Sequence, residues 1–565
     1  MCDALFCSIM IEMRNRSLLD SGRAQLCFLC IIAFCLSLFR VGNDVLSWGR
    51  ACFDGWEILQ ISRFLLIFAH TFLSIFLLLL LVVRSRVMAY VVLPFAVLTW
   101  GGAAYVRLTM GHCLYSEIVI GALETSWREF SDLLDWLTIC VGVAVITAGF
   151  GLGYVCRCFC RRLAGGSGVR VWGAAILYFV LTIAPVPLLS ETCPRALVPL
   201  LYKMPTAEGE AREAMIENMI VGMANEDRME FSYRVLLPFY RQLAFVYYVA
   251  DYYFVKDFRP AEAFPSHLTC EDDVVVVLFI GESYRAKNAS WNGYYRETLP
   301  KLSSLRENTV NFPFFKSYAT STISSIYGMI SDASCVNRNA SYTSFLSIMA
   351  KHGFTSSLVL CRTTRWDLNP KIIKLLDNKI GNIVLSEDSS DVIADIEQIA
   401  SKPGRHVILV EDGTGHAPYH HEACFNRFGN ESPQDSYDNA LLQTDDLLFG
   451  IAEKLKGRKA VMLYCSDHGQ SFGEQGLSMH GGPLNIVQQR HVFSFVWYSD
   501  SYAMAHQDKI NNMQSNANRL LSHDDIYLSI LSLAGIKTEL PISGGGDFTT
   551  PLERPVMQEF ELDEN

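Results

Sequence analysis

Five apolar runs in the first 190 residues constrain this chain more than any other feature. They lie near 24–42, 64–83, 87–106, 136–156 and 170–189. Each has about the 20 residues that a helix rising 1.5 Å per residue needs to cross a bilayer core. Long amphipathic core helices do not explain runs with almost no interior charge. Arg40, near the end of the first run, must reach the interface along its own stem. That run also starts too deep in the chain, and lacks a small-residue cleavage site, for a cleaved signal peptide. Residues 1–190 therefore read as an α-helical membrane domain of five spans.

Charge gives the direction of the spans. Residues 1–190 hold 14 Arg, no Lys and 11 Asp+Glu, a net of +3. Nine of those arginines fall on one side: Arg14, Arg16 and Arg23, Arg84 and Arg86, and Arg157, Arg161, Arg162 and Arg170. Eight of the 11 acids fall on the other. The positive-inside rule puts the N-terminus in the cytoplasm. Five spans then place everything after residue 190 outside, in the periplasm of a Gram-negative cell. The other 375 residues hold 33 Lys+Arg and 47 Asp+Glu, a net of −14, and the first lysine is Lys203. An acidic balance of this size argues against a nucleic-acid partner.

Eleven of the 17 cysteines lie in the membrane half and read as reduced, unpaired thiols. The exported half has Cys193, Cys270, Cys335, Cys361, Cys424 and Cys465, which an oxidising compartment allows to pair in ways that their spacing does not assign. Residues 191–272 show no strand pattern. Stretches 208–225 and 231–255 read as helices, the second mixing aromatic and basic residues as an interfacial helix does. From residue 273 to 565 the pattern becomes α/β. Val274–Ile280, His406–Glu411, Ala460–Cys465 and His491–Tyr498 are continuous apolar runs, with a weaker one at Ser356–Cys361. Continuous apolarity marks strands covered on both faces, as in a mostly parallel central sheet. Such sheets place their ligands at the carboxyl ends of the strands.

Polar residues of one kind follow those strands. Gly281-Glu282-Ser283 follows the first, Asp412-Gly413-Thr414 and His416 follow another, and Ser466-Asp467-His468-Gly469 a third. A carboxylate at one strand end and an Asp-His pair at a second suit a hard or borderline divalent cation. Thr320-Ser321-Thr322-Ile323-Ser324-Ser325 reads either as a helix N-cap or as a nucleophile at a helix N-terminus, where free N–H groups attract phosphate.

Several ordered stretches resemble the bacterial phosphoethanolamine transferases that modify lipopolysaccharide, a group within the alkaline phosphatase/sulfatase superfamily. GESYRAKNASWNGYYRETLPKL (281–302), YATSTISSIYGM (318–329), GTGHAPYH (413–420), YDNALLQTDDLL (437–448) and SDHGQSFGEQGLSMHGGP (466–483) carry the resemblance. It implies Thr322 as nucleophile, with Glu282, Asp467, His468 and the Thr322 oxygen holding one tight Zn2+, a second metal being possible. His416 and His480 resemble histidines that contact the substrate phosphate or a second metal. In GALETSWREF (121–130), Thr125 and Glu129 match a lipid-headgroup motif, while Gly121 replaces its asparagine. Tyr318 and Gly328 stand where many members have a loop disulfide, so packing must hold the loop here, and Gln470 stands for a glutamate. The Trp-Arg-Asp-Asn stretch of the family is not recognisable near CRTTRWDL (361–368).

The resemblance implies transfer of phosphoethanolamine from phosphatidylethanolamine, with release of diacylglycerol. The acceptor is lipid A, lipopolysaccharide core or Kdo, or alternatively a periplasmic glucan or protein. It also implies a monomeric inner-membrane enzyme, linked to polymyxin resistance where lipid A is the acceptor. A phosphoglycerol transferase or phosphodiesterase of the same superfamily is the alternative. A sulfatase would need a Cys/Ser-x-Pro-x-Arg sequence at the nucleophile position, and 318–329 contains no proline.

Overall fold

The computed structural model describes residues 22–52, 58–110, 136–160, the single positions 163, 173 and 176, and 257–560 apart from 270–272, 335–339, 362–369, 377–379, 475–477, 482–485 and 539–544. Most of the fifth apolar run, the stretches at 208–225 and 231–255, and the loop with Gly121, Thr125 and Glu129 lie outside the described residues. The chain divides into two compact units, one holding the first four helices and the other residues 257–560.

In the first unit, α1 (Gly22–Cys52), α2 (Ile58–Arg84), α3 (Leu93–Met110) and α4 (Trp136–Phe159) take up the first four apolar runs. A π-helical turn at Met88–Val92 leads into α3. Four helices are thus described rather than five. Among the described residues, the 21 residues Ile139–Phe159 alone are long and apolar enough to cross a membrane, while 23–38, 71–84 and 88–102 form shorter apolar helices. Leu29, Leu79, Val82, Leu93 and Cys156 face inward and are fully buried. A Cβ on Gly153 would stand 2.3 Å from the Ala89 carbonyl oxygen. The α4 backbone therefore meets the π-turn directly, which is how small residues let membrane helices approach. Arg157 Nη1 donates to the Val82 and Val83 carbonyls at 3.3 and 3.2 Å, placing positive charge on the C-terminal turn of α2. Ile31, Val91, Val143 and Tyr154 point outward, an apolar surface of the kind lipid covers.

The second unit is built on seven strands: β1 (Val275–Gly281), β2 (Thr309–Asn311), β3 (Phe354–Cys361), β4 (Asn382–Ser386), β5 (Arg405–Asp412), β6 (Ala460–Ser466) and β7 (Ser494–Tyr498), in the order β2-β7-β6-β1-β5-β3-β4. Only β7 is reversed, pairing antiparallel with both β2 and β6. Alternate side chains of one strand enter two separate cores. Val276, Leu278 and Ile280 of β1 join one with Leu463 and Val407, while Val275, Val277 and Phe279 join the other with Met462 and Ile408. That double burial explains why the strands read as unbroken apolar runs. Helices α5 (Thr322–Ile330), α6 (Phe345–Lys351) and α9 (Ile526–Leu533) fill the first core, and α7 (Ser389–Ser401) and α8 (Pro433–Leu455) the second. The expected strand His491–Tyr498 is broken at Phe493: His491–Val492 leaves the main sheet to pair with Phe315–Lys316. Cys424 and Cys465 carry unbridged thiols, as do Cys156 and Cys160 in the first unit.

The loop after β1 is clamped to α8 by a buried polar network. Asp438, whose side chain is fully buried, accepts from Asn288 Nδ2 at 2.9 Å, Tyr294 OH at 2.7 Å and Arg296 Nη1 at 2.8 Å. Arg296 also binds Asp435 at 2.7 Å, and Asp435 with Ser432 forms the capping box that starts α8. Removing one partner of a buried pair strands the other charge. Arg296→Ala is therefore expected to cost about 1–3 kcal/mol, read as a lower denaturation midpoint, whereas an unchanged midpoint would show that the network adds nothing.

Candidate functional site

The site forms at the carboxyl edge of the sheet because three neighbouring strands end level. Gly281 pairs with Ser466 on one side and with Asp412 on the other. The next residues along β1 and β6, Glu282 and Asp467-His468, thus emerge side by side. Glu282, Asp467 and His468 are all buried. His468 Nε2 lies 3.5 Å from Glu282 Oε1 and 3.2 Å from Asp467 Oδ2.

Thr322 reaches this cluster from α5. Its Oγ1 is 3.3 Å from Glu282 Oε2 and 3.3 Å from His468 Nε2. The capping alternative for this hydroxyl run does not hold. Ser321 occupies the N-cap with an extended φ of −140°, yet its side chain makes no capping bond, and Thr322 turns its hydroxyl to the carboxylate and imidazole instead.

Protonation follows from the hydrogen bonds. His468 Nδ1 donates to the Gly469 carbonyl at 2.8 Å, which leaves Nε2 as the lone-pair atom facing Thr322. Asp467 Oδ1 accepts from the backbone N–H of Ser283 at 2.9 Å and of His468 at 2.7 Å. Its Oδ2 is buried and accepts no hydrogen bond among the described residues. Burial first, and the Glu282 charge second, push the Asp467 carboxyl up to about 7. An orphaned carboxylate oxygen beside a second carboxylate and an imidazole lone pair is a donor set that fits a divalent cation. Ligand atoms of Glu282, His468 and His480 also lie within 4.8 Å of one another.

His480 stacks on His468 with ring centroids 4.2 Å apart, and His416 is 5.8 Å from His480. His480 Nδ1 donates to Gln470 Oε1 at 3.0 Å, and Gln470 Nε2 in turn binds Tyr419 OH. The structure therefore brings Glu282, Thr322, Asp467, His468, His480 and His416 into one cluster. Strain gathers at the same place. The three non-glycine residues with left-handed φ among the described residues are Ser283 (φ 60°), Tyr419 (φ 66°) and Met479 (φ 63°), each adjoining the cluster. Such conformations cost about 1–3 kcal/mol each and persist where surroundings over-determine them. Tyr437 does this for the Ser283 turn, donating to the Ser283 carbonyl at 2.7 Å and accepting from Arg285 N–H at 2.9 Å.

Two contacts support the loop that carries Thr322, and the sequence reading missed the second of them. The Tyr318 side chain packs against Gly328, where a Cβ would meet Tyr318 Cγ at 2.4 Å. The two positions expected to be tied by packing are in direct contact. His523 adds a second tie. It accepts from Tyr318 N–H through Nδ1 at 3.0 Å and donates from Nε2 to the Ser466 carbonyl at 3.0 Å. The nucleophile loop is thereby joined to the residue before Asp467. A histidine far along the chain gave no sequence signal, because its partners are backbone atoms.

Comparisons with known proteins fit this geometry. Residues 275–536 match the family model described as Sulfatase. Within curated proteins, the chain is 26% identical over 299 residues to phosphoethanolamine transferase EptA of Escherichia coli K12, covering 47% of this chain and 54% of the relative. It is 28% identical over 305 residues to phosphatidylethanolamine transferase Mcr-1 of Escherichia coli, again 47% and 54%. Each match spans about half the relative's length. In fold, the chain resembles the integral membrane protein lipooligosaccharide phosphoethanolamine transferase A of Neisseria meningitidis at a TM-score of 0.66 and 17% identity, covering 90% of this chain and 95% of that one. The likeness is one of fold over most of the chain, and the family match lies within the second unit.

His523 supplies a test by pH. Burial first lowers its pKa from 6.5 to about 3. Below 6.5 the unfolded chain binds a proton that folded His523 refuses, so stability is complete above 6.5 and declines as pH falls toward 3. At pH 5 this amounts to about 2 kcal/mol. Gln presents an acceptor and a donor without titrating. The melting temperature of His523→Gln should therefore fall less than wild type between pH 7.5 and 5, by a few degrees. Equal falls would remove His523 from the account.

Proposed function

We propose that the protein transfers phosphoethanolamine from phosphatidylethanolamine to a saccharide of the cell envelope, lipid A or lipopolysaccharide core or Kdo. One observation carries this reading: the Thr322 hydroxyl stands 3.3 Å from both a carboxylate and an imidazole lone pair at the head of α5, and caps nothing. An inward-turned hydroxyl on a helix N-terminus is a phosphoryl nucleophile with an anion site around it. The names of the similar proteins, phosphoethanolamine transferase EptA and phosphatidylethanolamine transferase Mcr-1, support the choice of headgroup. The apolar helices of the first unit support a donor that sits in a membrane.

Glu282, Asp467, His468 and the Thr322 oxygen would hold one zinc ion, with His480 close enough to contribute. Bound there, a dication supplies positive charge that acidifies a hydroxyl and polarises a phosphoryl oxygen. The remaining steps belong to the chain. Thr322 Oγ1 loses its proton and attacks phosphorus. The bond from phosphorus to the glycerol oxygen breaks, and diacylglycerol leaves with a proton. His416 and His480 face the incoming phosphate and hold its charge or pass that proton. An acceptor hydroxyl or phosphate then attacks the same phosphorus, the threonine–phosphorus bond breaks, and Thr322 recovers its proton. Thr125 and Glu129 are proposed headgroup contacts, and the proposed setting is the inner membrane with the sulfatase-family domain in the periplasm.

Diacylglycerol release from phosphatidylethanolamine vesicles tests the reading. Thr322→Ala should lower the rate by at least about a thousandfold, the usual effect of losing a nucleophile. Thr322→Ser should retain a measurable fraction. A Thr322→Ala protein of wild-type rate would contradict the proposal.

A further inference from the structure

A second recess lies beside the proposed centre, and none of the residues discussed so far accounts for it. It is a groove of about 1040 Å³ between the turn after Glu282, the end of edge strand β2 and residues 558–560. The sheet fixes its position. Strand β2 runs in the same direction as β1, and Asn311 at its end pairs with Phe495, whose other partner Tyr464 lies two residues before Ser466. The groove therefore opens on the same carboxyl edge as Glu282. Three strand spacings of about 4.8 Å put it roughly 14 Å to the side.

Its walls combine three kinds of group. Lys287 and Arg306 are cations with no carboxylate partner among the described residues. The Arg306 guanidinium lies 4.4 Å from the centre of the Trp291 ring. A guanidinium stacked on an aromatic face keeps its in-plane N–H edge for a planar or tetrahedral anion. Carboxamides complete the lining, from Asn292, Gln514 and Asn518, with Glu559 as the one acid. Asn292 is held in place by its own bonds, donating to the Ala286 carbonyl at 2.9 Å and accepting from Asn311 Nδ2 at 2.8 Å. Carboxamides offer both donors and acceptors, as hydroxyl-rich ligands require. Residues 191–565 carry a net charge of −14, which repels anions generally. Two unpartnered cations in one recess of such a surface select for an anion at that place.

We propose that this groove binds the acceptor as an anionic saccharide, its phosphate or carboxylate on Lys287 and Arg306 and its hydroxyls on the carboxamides. The inference rests on the transferase reading above. An anionic sugar held roughly 14 Å to the side of Glu282 leaves a neighbouring sugar free to reach toward the phosphothreonine.

The test uses the full-length protein in bilayer discs containing phosphatidylethanolamine, with two readouts. Diacylglycerol released without acceptor reports the first transfer, and labelled product reports the second. Acceptors are a phosphorylated glucosamine disaccharide, either lipid-anchored or soluble, and its neutral counterpart. The double variant Lys287→Gln, Arg306→Gln should release diacylglycerol within twofold of wild type. Its KM for the phosphorylated acceptor should rise at least tenfold, and the neutral disaccharide should be the poorer acceptor for wild type. Use of the anchored form alone identifies a lipid-linked acceptor, and equal use of both a soluble one. Saturation-transfer NMR with the soluble phosphorylated disaccharide should show contact with wild type and lose it in the variant. Unchanged KM and unchanged NMR contact in a variant that still releases diacylglycerol would overturn the groove. Absence of diacylglycerol release from wild type would instead overturn the transferase reading, and the acceptor role with it.

Discussion

Everything at the candidate centre depends on the level ending of β5, β1 and β6. The pairings Gly281 to Ser466 and Gly281 to Asp412 are ordinary parallel register, and they convert three distant segments into one edge. Two carboxylates and an imidazole then crowd into a buried space. Without a cation, Asp467 is driven toward neutrality and its Oδ2 has no hydrogen bond among the described residues. An arrangement that is unfavourable by itself, held by a rigid sheet, is characteristic of functional sites.

The support of this cluster comes from residues with no direct part in it. Tyr437 secures the left-handed turn at Ser283, Gln470 orients His480, and His523 ties the nucleophile loop to the strand that carries Asp467. Tyr318 packs against Gly328 at the two ends of the loop that carries Thr322. Each acts by fixing a position, which matters to the proposed transfer because reactions of that kind are sensitive to misplacement on the ångström scale.

Much of the second unit was legible from its residues. Continuous runs such as Val274–Ile280 announced strands buried on both faces, and the polar residues after them marked the carboxyl edge. Other features left little trace. Strand β4 is half exposed, with Ile383 and Leu385 facing out, so it lacks the continuous pattern. The reversal of β7 and its break at Phe493 depend on long-range pairing. His523 acts on backbone atoms, which no side-chain motif reveals. The order of the strands, and with it the neighbouring groove, is a tertiary property. In the first unit, hydropathy located four helices, including α1, which runs beyond Arg40 to Cys52. The choice of Thr322 among the five hydroxyl residues of 320–325 was implied by resemblance, and its placement beside Glu282 and His468 fits that choice.

The central claim is that Thr322 carries the phosphoethanolamine between donor and acceptor. Mass spectrometry of peptides from protein quenched during incubation with phosphatidylethanolamine, and without acceptor, tests this most directly. The account predicts one phosphoethanolamine adduct, on the peptide containing Thr322, that disappears when acceptor is added. An adduct on any other residue, or diacylglycerol release with an unmodified Thr322 throughout, would contradict it.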